Sequence, residues 1–246
     1  MVGLFSFLGG LMAGSVANAV IDRLPRGESW FRGRSKCDKC RHLLAILDLV
    51  PIASYASLRG KCRYCHSPIP VRNLVVEIVL GISLLLIGRI GHIGLIDQIV
   101  LMGIAWVTTV IFVMDQETML VSDAMVAIWA ALVIFSHLGD LGNLSYLWGM
   151  GVGVVIIGGI WLMSRGKAMG SGDIGIIGVI GLWVSWPNIL VALWMAFVIG
   201  AVVSCWLLVV SKKSVKSMIA FGPYLIVGGW VAYFWGDMIT SWIFRY

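Results

Sequence analysis

The sequence predicts an all-α polytopic membrane protein with about eight transmembrane helices and one small polar domain between the first two. Of its 246 residues, 60% are hydrophobic and only 12% are charged, whereas a soluble domain carries about 25% charged residues. Its mean hydropathy is +0.97. The 12 Trp and 30 Gly fit this class, because Trp collects at membrane interfaces and Gly is tolerated in spanning helices.

The first apolar run covers residues 1–21 and has two possible interpretations. A cleaved signal peptide has an apolar run of this kind, but a basic segment precedes it. Here the positive charges follow the run, so we predict a retained first transmembrane helix. Residues 22–73 come next and form the one long polar segment of the sequence.

Seven further apolar runs follow the polar segment, and the sixth run of the chain is short for a span of about 20 residues. The seven runs cover residues 74–95, 97–114, 121–138, 144–163, 173–186, 188–210 and 218–243, with uncertain ends. The chain is therefore expected to have three parts. These are a first transmembrane helix over 1–21, a loop domain over 22–73 and a transmembrane domain over 74–246.

The positive charges predict the orientation in the membrane. If the N-terminus lies outside, the inward loops are 22–73, 115–120, 164–172 and 211–217, and they contain sixteen of the 18 Lys and Arg residues. Basic residues are retained on the cytoplasmic side of a bilayer. The net charge of +6 is thus explained by topology, and we predict a lipid environment and no nucleic-acid partner.

Two aspartates lie at the predicted cytoplasmic boundary, since Asp115 ends the third run and Asp173 begins the sixth. Ionisable residues in such places are costly and are candidates for function. Two carboxylates brought close together share a proton, so that one activates a water while the other protonates a scissile amide. On span placement alone, a pair of hydrated boundary residues is the simpler interpretation.

The sequence around each aspartate favours a functional pair. Asp173 closes the motif Gly170-Ser-Gly172-Asp173 at the start of a predicted helix, where glycines let neighbouring backbone approach closely. The stretch from Asp115 to Asp123 is denser in acids than a turn between helices requires. Two other classes stay open, a transporter or channel that uses the pair for ions and a non-enzymatic assembly factor. A transporter should carry its acids near mid-span.

Four cysteines in the polar segment have the spacing of a metal site. Cys37-x-x-Cys40 and Cys62-x-x-Cys65 are separated by 21 residues, and four thiolates complete a tetrahedral zinc shell. Two disulfides are the alternative. The segment is predicted to lie in the cytoplasm, however, where structural disulfides are rare. Because all four positions are Cys, such a zinc is structural rather than catalytic. Cys205 stands alone and receives no role.

Several motifs in the same order give the chain a resemblance to a known family. They are GSVANAVIDRLP at 14–25, the cysteine loop at 34–65 with PIASY at 51–55 and LRGKC at 58–62, Arg72 with Glu77, the two aspartate stretches, and FGPY at 221–224. Together they resemble the bacterial type IV prepilin leader peptidase/N-methyltransferase family, whose members are GxGD aspartic peptidases. The resemblance covers nearly the whole chain.

The resemblance implies an activity and roles for particular residues. Asp115 and Asp173 stand at the two catalytic positions, and the supporting residues are Glu117, Asp123, Gly170 and Gly172. The expected reaction is cleavage of the leader peptide of a type IV prepilin or pseudopilin at the cytoplasmic face of the bacterial inner membrane. A GxGD membrane protease with another substrate is the alternative within the same class.

The resemblance also implies a second activity, methylation of the new N-terminal residue with S-adenosylmethionine. Residues 14–25 and the polar loop are where this activity is expected. No G-x-G-x-x-G cofactor turn on a strand–helix unit accompanies them. The residues that bind the cofactor therefore stay unassigned from the sequence.

Overall fold

A computed structural model describes residues 2–29, 33–91, 93–140, 142–167, 169–211 and 220–244. Some residues used in the sequence analysis lie outside these ranges. Among the basic residues counted there, they are Arg32 of the 22–73 loop, Lys212, Lys213 and Lys216 of the predicted inward loop at 211–217, and Arg245.

The described residues fold into α-helices joined by turns and short 3-10 segments, which confirms the all-α prediction. The helices are α1 (Val2–Arg23), α2 (Ala53–Ser57), α3 (Val71–Ile87), α4 (Leu95–Thr118), α5 (Asp123–Ser136), α6 (Ser145–Ser164), α7 (Gly172–Val184), α8 (Ile189–Ser211) and α9 (Gly222–Phe244). Each of the eight predicted apolar runs overlaps one of these helices, and most helix ends differ from the predicted ends by a few residues. The short helix α2 lies in the polar segment.

Four helical segments in the described part of the chain are long and apolar enough to cross a membrane. They are Gly3–Arg26, Leu95–Thr118, Ser145–Ser164 and Ile189–Leu207. The apolar helices α5 and α7 are shorter. These lengths and compositions are those of a membrane protein, and the crossing of the bilayer by all eight helices stays a prediction.

The chain divides into two compact units, Met1–Val110 and Ile111–Tyr246, with the boundary inside α4. In the first unit, α1 packs along α3. A Cβ on Gly14 of α1 would stand 2.5 Å from the Cα of Glu77, so this close approach requires glycine. The indole N–H of Trp106 donates to the carbonyl of Ala13 at 2.9 Å and joins the first part of α4 to α1.

Helix α7 is the most enclosed element of the second unit, where it packs against α5, α6, α8 and α9. Apart from one aspartate it is apolar on all sides, as expected of a helix surrounded by others. Gly149 of α6 faces Gly181 of α7 with no room for a side chain on either. On another side, the ring of Trp183 meets the buried Trp129 edge-on, with centroids 6.2 Å apart. This packing fixes the position of Asp173, the second residue of α7.

Candidate active site and metal centre

Asp115 lies in the last turn of α4 and is almost completely buried, with 4% of its surface exposed. Its Oδ2 atom receives no hydrogen bond from the described residues. The carboxylate faces the start of α9, where a Cβ built on Gly222 would come within 2.5 Å of Oδ2. A buried carboxylate oxygen without a donor is costly unless water or a substrate approaches it.

Asp173 is also buried, and the GxGD motif holds its side chain. The backbone N–H of Gly170 donates to Asp173 Oδ2 at 3.1 Å. Gly172 packs against Val121, so closely that a Cβ on Gly172 would lie 2.8 Å from the Val121 side chain. The two glycines therefore have different roles, since Gly170 supplies a donor and Gly172 permits close packing.

Both aspartates line one open cavity of about 1290 Å³ within the second unit. Asp115 reaches the cavity from the last turn of α4 and Asp173 from the first turn of α7, so two different helices bring the carboxylates to one space. The other described residues of its wall are mostly small or apolar, and they include Lys167, Phe221 and Tyr224. The cavity thus combines a pair of carboxylates with space for an extended peptide segment.

The structure brings most of the predicted supporting residues to this cavity. Asp123 lines it and is solvent-exposed, and Gly170 and Gly172 line it as well. Glu117 is exposed and is not among the residues that line the cavity. Lys167 also lines the cavity, although the sequence indicates for it only a positive charge in a predicted inward loop.

Two other acids of the second unit, Asp140 and Asp237, do not line the cavity of the aspartate pair. Asp237 of α9 accepts a hydrogen bond from Asn188 at 2.7 Å, and Asp140 accepts one from Tyr146 at 2.7 Å. Gly222 and Asp237 are separated along α9 by about 22 Å at the usual rise of an α-helix. The aspartate pair therefore lies near the start of α9, and Asp237 lies toward its other end.

The four cysteine thiols of the first unit converge on one point. Their sulfur atoms all lie within 4.8 Å of one another, and Cys37 and Cys65 Sγ are 3.8 Å apart. A tetrahedron with Zn–S bonds of about 2.3 Å has sulfur–sulfur edges of about 3.8 Å. The four cysteines are free thiols rather than disulfide partners. This donor set fits a metal ion.

Two matching backbone turns hold the cysteine pairs. In the first, the N–H of Arg41 donates to the carbonyl of Cys37 at 2.9 Å, and in the second the N–H of His66 donates to Cys62 at 3.0 Å. Arg41 and His66 both have positive φ, of 61° and 55°. The backbone N–H groups of Cys40 and Lys39, opposed by partial burial, lower the pKa of Cys37 to about 6. Cys37 is therefore readily available as a thiolate ligand, whereas burial and the neighbouring thiols of Cys65 and Cys37 raise the pKa of Cys40.

A second cavity, of about 380 Å³, lies in the first unit and brings two sequence motifs together. Residues of the 14–25 motif line it with residues of the cysteine loop and the start of α3. The 14–25 motif and the polar loop are the two segments where the family resemblance implies the methyltransferase activity.

Comparisons with known proteins agree with this arrangement. The profile of the bacterial peptidase A24 N-terminal domain matches residues 8–89, and that of the Type IV leader peptidase family matches residues 101–205. A protein named prepilin leader peptidase/N-methyltransferase from Stutzerimonas stutzeri is 30% identical, over 94% of this chain and 90% of its own length. The chain belongs to the type IV leader peptidase family.

Further relatives of the family extend the match to both ends of the chain. A protein with the same name from Aeromonas hydrophila is 28% identical over 96% of this chain and 91% of its own length. A third, from Legionella pneumophila, is 28% identical over 100% of this chain and 94% of its own length. No solved structure matches the chain. The peptidase profile covers Asp115 and Asp173, and the N-terminal profile covers all four clustered cysteines.

Proposed function

We propose that this chain is a bifunctional membrane enzyme that cleaves the leader peptide of type IV prepilins or pseudopilins and methylates the N-terminus so formed. Family membership and the names of the relatives support the reaction class. The observation that carries the proposal is the pair Asp115 and Asp173, which line one cavity from two different helices. A GxGD membrane protease with another substrate would use the same pair.

The two aspartates divide the chemistry of peptide hydrolysis. One carboxylate accepts a proton from water, which then attacks the scissile carbonyl, and the protonated partner donates to the leaving amine. Two carboxylates at one cavity repel each other when both are ionised, so a state in which they share one proton is favoured. Asp115 Oδ2 has no donor among the described residues, so it is available to accept that proton from the attacking water.

The two parts of the substrate fit two different surroundings, the acidic cavity and the bilayer. A prepilin leader is short and basic, and its following helix is apolar. The acids at the cavity, with exposed Asp123 among them, attract the leader, while the bilayer holds the helix. Lys167 lies in the same cavity and repels a basic leader, so we place the leader nearer to Asp123.

We propose that the same chain methylates the product of leader cleavage, at its new N-terminal amine. S-adenosylmethionine, when bound, supplies a methyl group from a positively charged sulfur to an amine. The amine freed by leader cleavage is the acceptor, and it must lose a proton before it can form the new bond to carbon. Residues 14–25 and 22–73 are proposed as the methyltransferase part of the chain.

We also propose how the chain is arranged in the membrane. Eight spans, with the N-terminus outside, place both aspartates and the cysteine loop on the cytoplasmic side of the inner membrane. The parts are residues 1–21, 22–73 and 74–246, as the sequence predicts. Zinc is the proposed ion at Cys37, Cys40, Cys62 and Cys65, with a structural role, because no ligand position is left open. We propose membrane lipid and the pilin precursor as partners, and no nucleic acid.

The decisive experiment is cleavage of a co-reconstituted prepilin by the purified enzyme. Asp115→Asn and Asp173→Asn are each expected to lower the cleavage rate at least about a hundredfold. Asp140→Asn is the charge-matched control, because Asp140 lies outside the cavity and pairs with Tyr146. Zinc content and gel-filtration profile check the folding of each variant. Cleavage at the wild-type rate by both active-site variants would reinstate the transporter and assembly-factor hypotheses.

A further inference from the structure

The cavity of the first unit contains a buried amide with one unused acceptor. Asn18 of α1 is 6% exposed and lines this cavity of about 380 Å³. Its side-chain N–H donates to the carbonyl of Asn73 at 2.9 Å, which fixes the direction of the amide. Its Oδ1 atom is buried and has no hydrogen-bond partner in the described part of the chain. A native protein rarely leaves such an atom without a ligand or water.

The same cavity contains one buried carboxylate that lacks a cation. Four acids line the cavity, and three of them form ion pairs: Asp22 with Arg72 and Asp48 with Arg63, each at 2.7 Å, and Asp38 with Arg26 at 3.2 Å. The fourth, Glu77, is 9% exposed and has no cationic partner among the described residues. A buried carboxylate in this position is a ready partner for a positively charged ligand.

The loop is held against Glu77 by strained backbone. The N–H of Ile52 donates to Glu77 Oε2 at 2.9 Å, and Ile52 has a φ of 60°. A positive φ is unusual for a β-branched residue and persists only where its surroundings impose it. The contact sets the loop at the edge of the cavity and still leaves the carboxylate without a counter-charge.

We infer that Asn18 and Glu77 bind the positively charged methionyl end of S-adenosylmethionine in the cavity of the first unit. Glu77 faces the cationic sulfur, and Asn18 Oδ1 accepts a hydrogen bond from the ligand's ammonium group. The cavity volume of about 380 Å³ is within the range of small-molecule sites, about 300–1,000 Å³. This inference rests on the proposed methyltransferase function and gives it a location.

The charge of the cavity distinguishes the cofactor from its product. S-adenosylhomocysteine has the same adenosyl and amino-acid groups but a neutral sulfur. Glu77→Gln removes the negative charge and keeps a carbonyl oxygen that can accept from Ile52. The substitution should therefore weaken binding of S-adenosylmethionine about tenfold and binding of S-adenosylhomocysteine much less.

The test measures binding of both compounds to the full chain in lipid nanodiscs by equilibrium dialysis. Asp97→Asn is the matched control, because Asp97 is an exposed acid of the first unit outside the cavity. If the wild type binds S-adenosylmethionine and Glu77→Gln binds it equally well, the assignment of the site is overturned. If the wild type cleaves prepilin and binds no S-adenosylmethionine, the proposed methyltransferase function itself fails.

A second measurement uses only the wild type, so that a folding defect in the variant cannot decide the result. Ultraviolet crosslinking with S-adenosylmethionine labelled in its methyl group is followed by peptide mapping. Label on peptides that contain residues 14–25 or 71–78 supports the inference. Label confined to peptides from the second unit contradicts it.

Discussion

The carboxylate of Asp115 and the backbone of Gly222 lie in direct contact at the meeting of α4 and α9. A Cβ on Gly222 would stand 2.5 Å from Asp115 Oδ2 and 3.4 Å from its Cγ. Only glycine leaves this carboxylate in its place, so the FGPY motif has a physical role at the aspartate pair. Its glycine sets the position of one proposed catalytic group.

Gly222→Ala should therefore displace Asp115 and lower prepilin cleavage. We expect a decrease of about tenfold to a hundredfold, because a displacement of about 1 Å from the reactive geometry is enough for that effect. The measurement is the initial rate of leader cleavage at saturating substrate. The added methyl group also meets Ile176 Cδ1 at 3.0 Å, so thermal unfolding of the variant is measured alongside.

Gly158→Ala is the control for this substitution. Gly158 lies on α6, and a Cβ there meets no atom within 4 Å. The control should cleave at the wild-type rate. If Gly222→Ala also cleaves at that rate, the contact between Gly222 and Asp115 does not position the carboxylate.

Much of the fold was predictable because apolar runs and helices coincide in this chain. Asp115 and Asp173 were identified by their places at the ends of predicted runs and by the motif around Asp173. The contact between Gly222 and Asp115 was not predictable, because 107 positions separate them and only the packing of the second unit brings them together. Lys167 was missed for the same reason, since sequence order does not show which loops face one cavity.

The two aspartates should act as one unit rather than as independent groups. Each single Asn variant is expected to lose nearly all activity, and the double variant should be no slower than the slower single variant. This non-additivity follows from the division of proton transfer between two carboxylates that line the same cavity. Single-turnover cleavage of a reconstituted prepilin measures all three rates. Multiplicative losses would show that the two carboxylates contribute separately.

The cysteine cluster should bind one zinc ion per chain. Metal analysis of the purified enzyme is expected to find one equivalent, and replacing Cys37, Cys40, Cys62 or Cys65 singly with Ser should remove most of it. Cys205→Ser, outside the cluster, should retain it. Loss of a structural ion costs folding free energy, so each of the four cluster variants should also unfold at lower temperature.

Chelation gives an independent test of the same site. A strong zinc chelator should destabilise the first unit, and added zinc should restore it. Protease sensitivity of residues 33–69 reports the loop directly. A cluster that forms disulfides instead would carry no metal and would respond to reductant rather than to a chelator.

Asp123 should contribute to recognition of the basic leader rather than to the chemical step. It lines the cavity and is exposed, so its carboxylate can meet a Lys or Arg of the leader without full desolvation. Asp123→Asn is expected to raise KM about threefold to tenfold with little change in kcat, as for the loss of a group that binds substrate and transition state equally. Asp140→Asn, an exposed acid outside the cavity, is the matched control.

Salt and substrate charge identify the origin of this effect. The difference in KM between wild type and Asp123→Asn should shrink as ionic strength rises, because exposed charges are screened over about 8–10 Å at physiological salt. A prepilin whose leader Lys and Arg residues are replaced by Gln should show no difference between the two enzymes. A lower kcat with unchanged KM would instead assign Asp123 to the reaction itself, because the loss would then fall on the transition state alone.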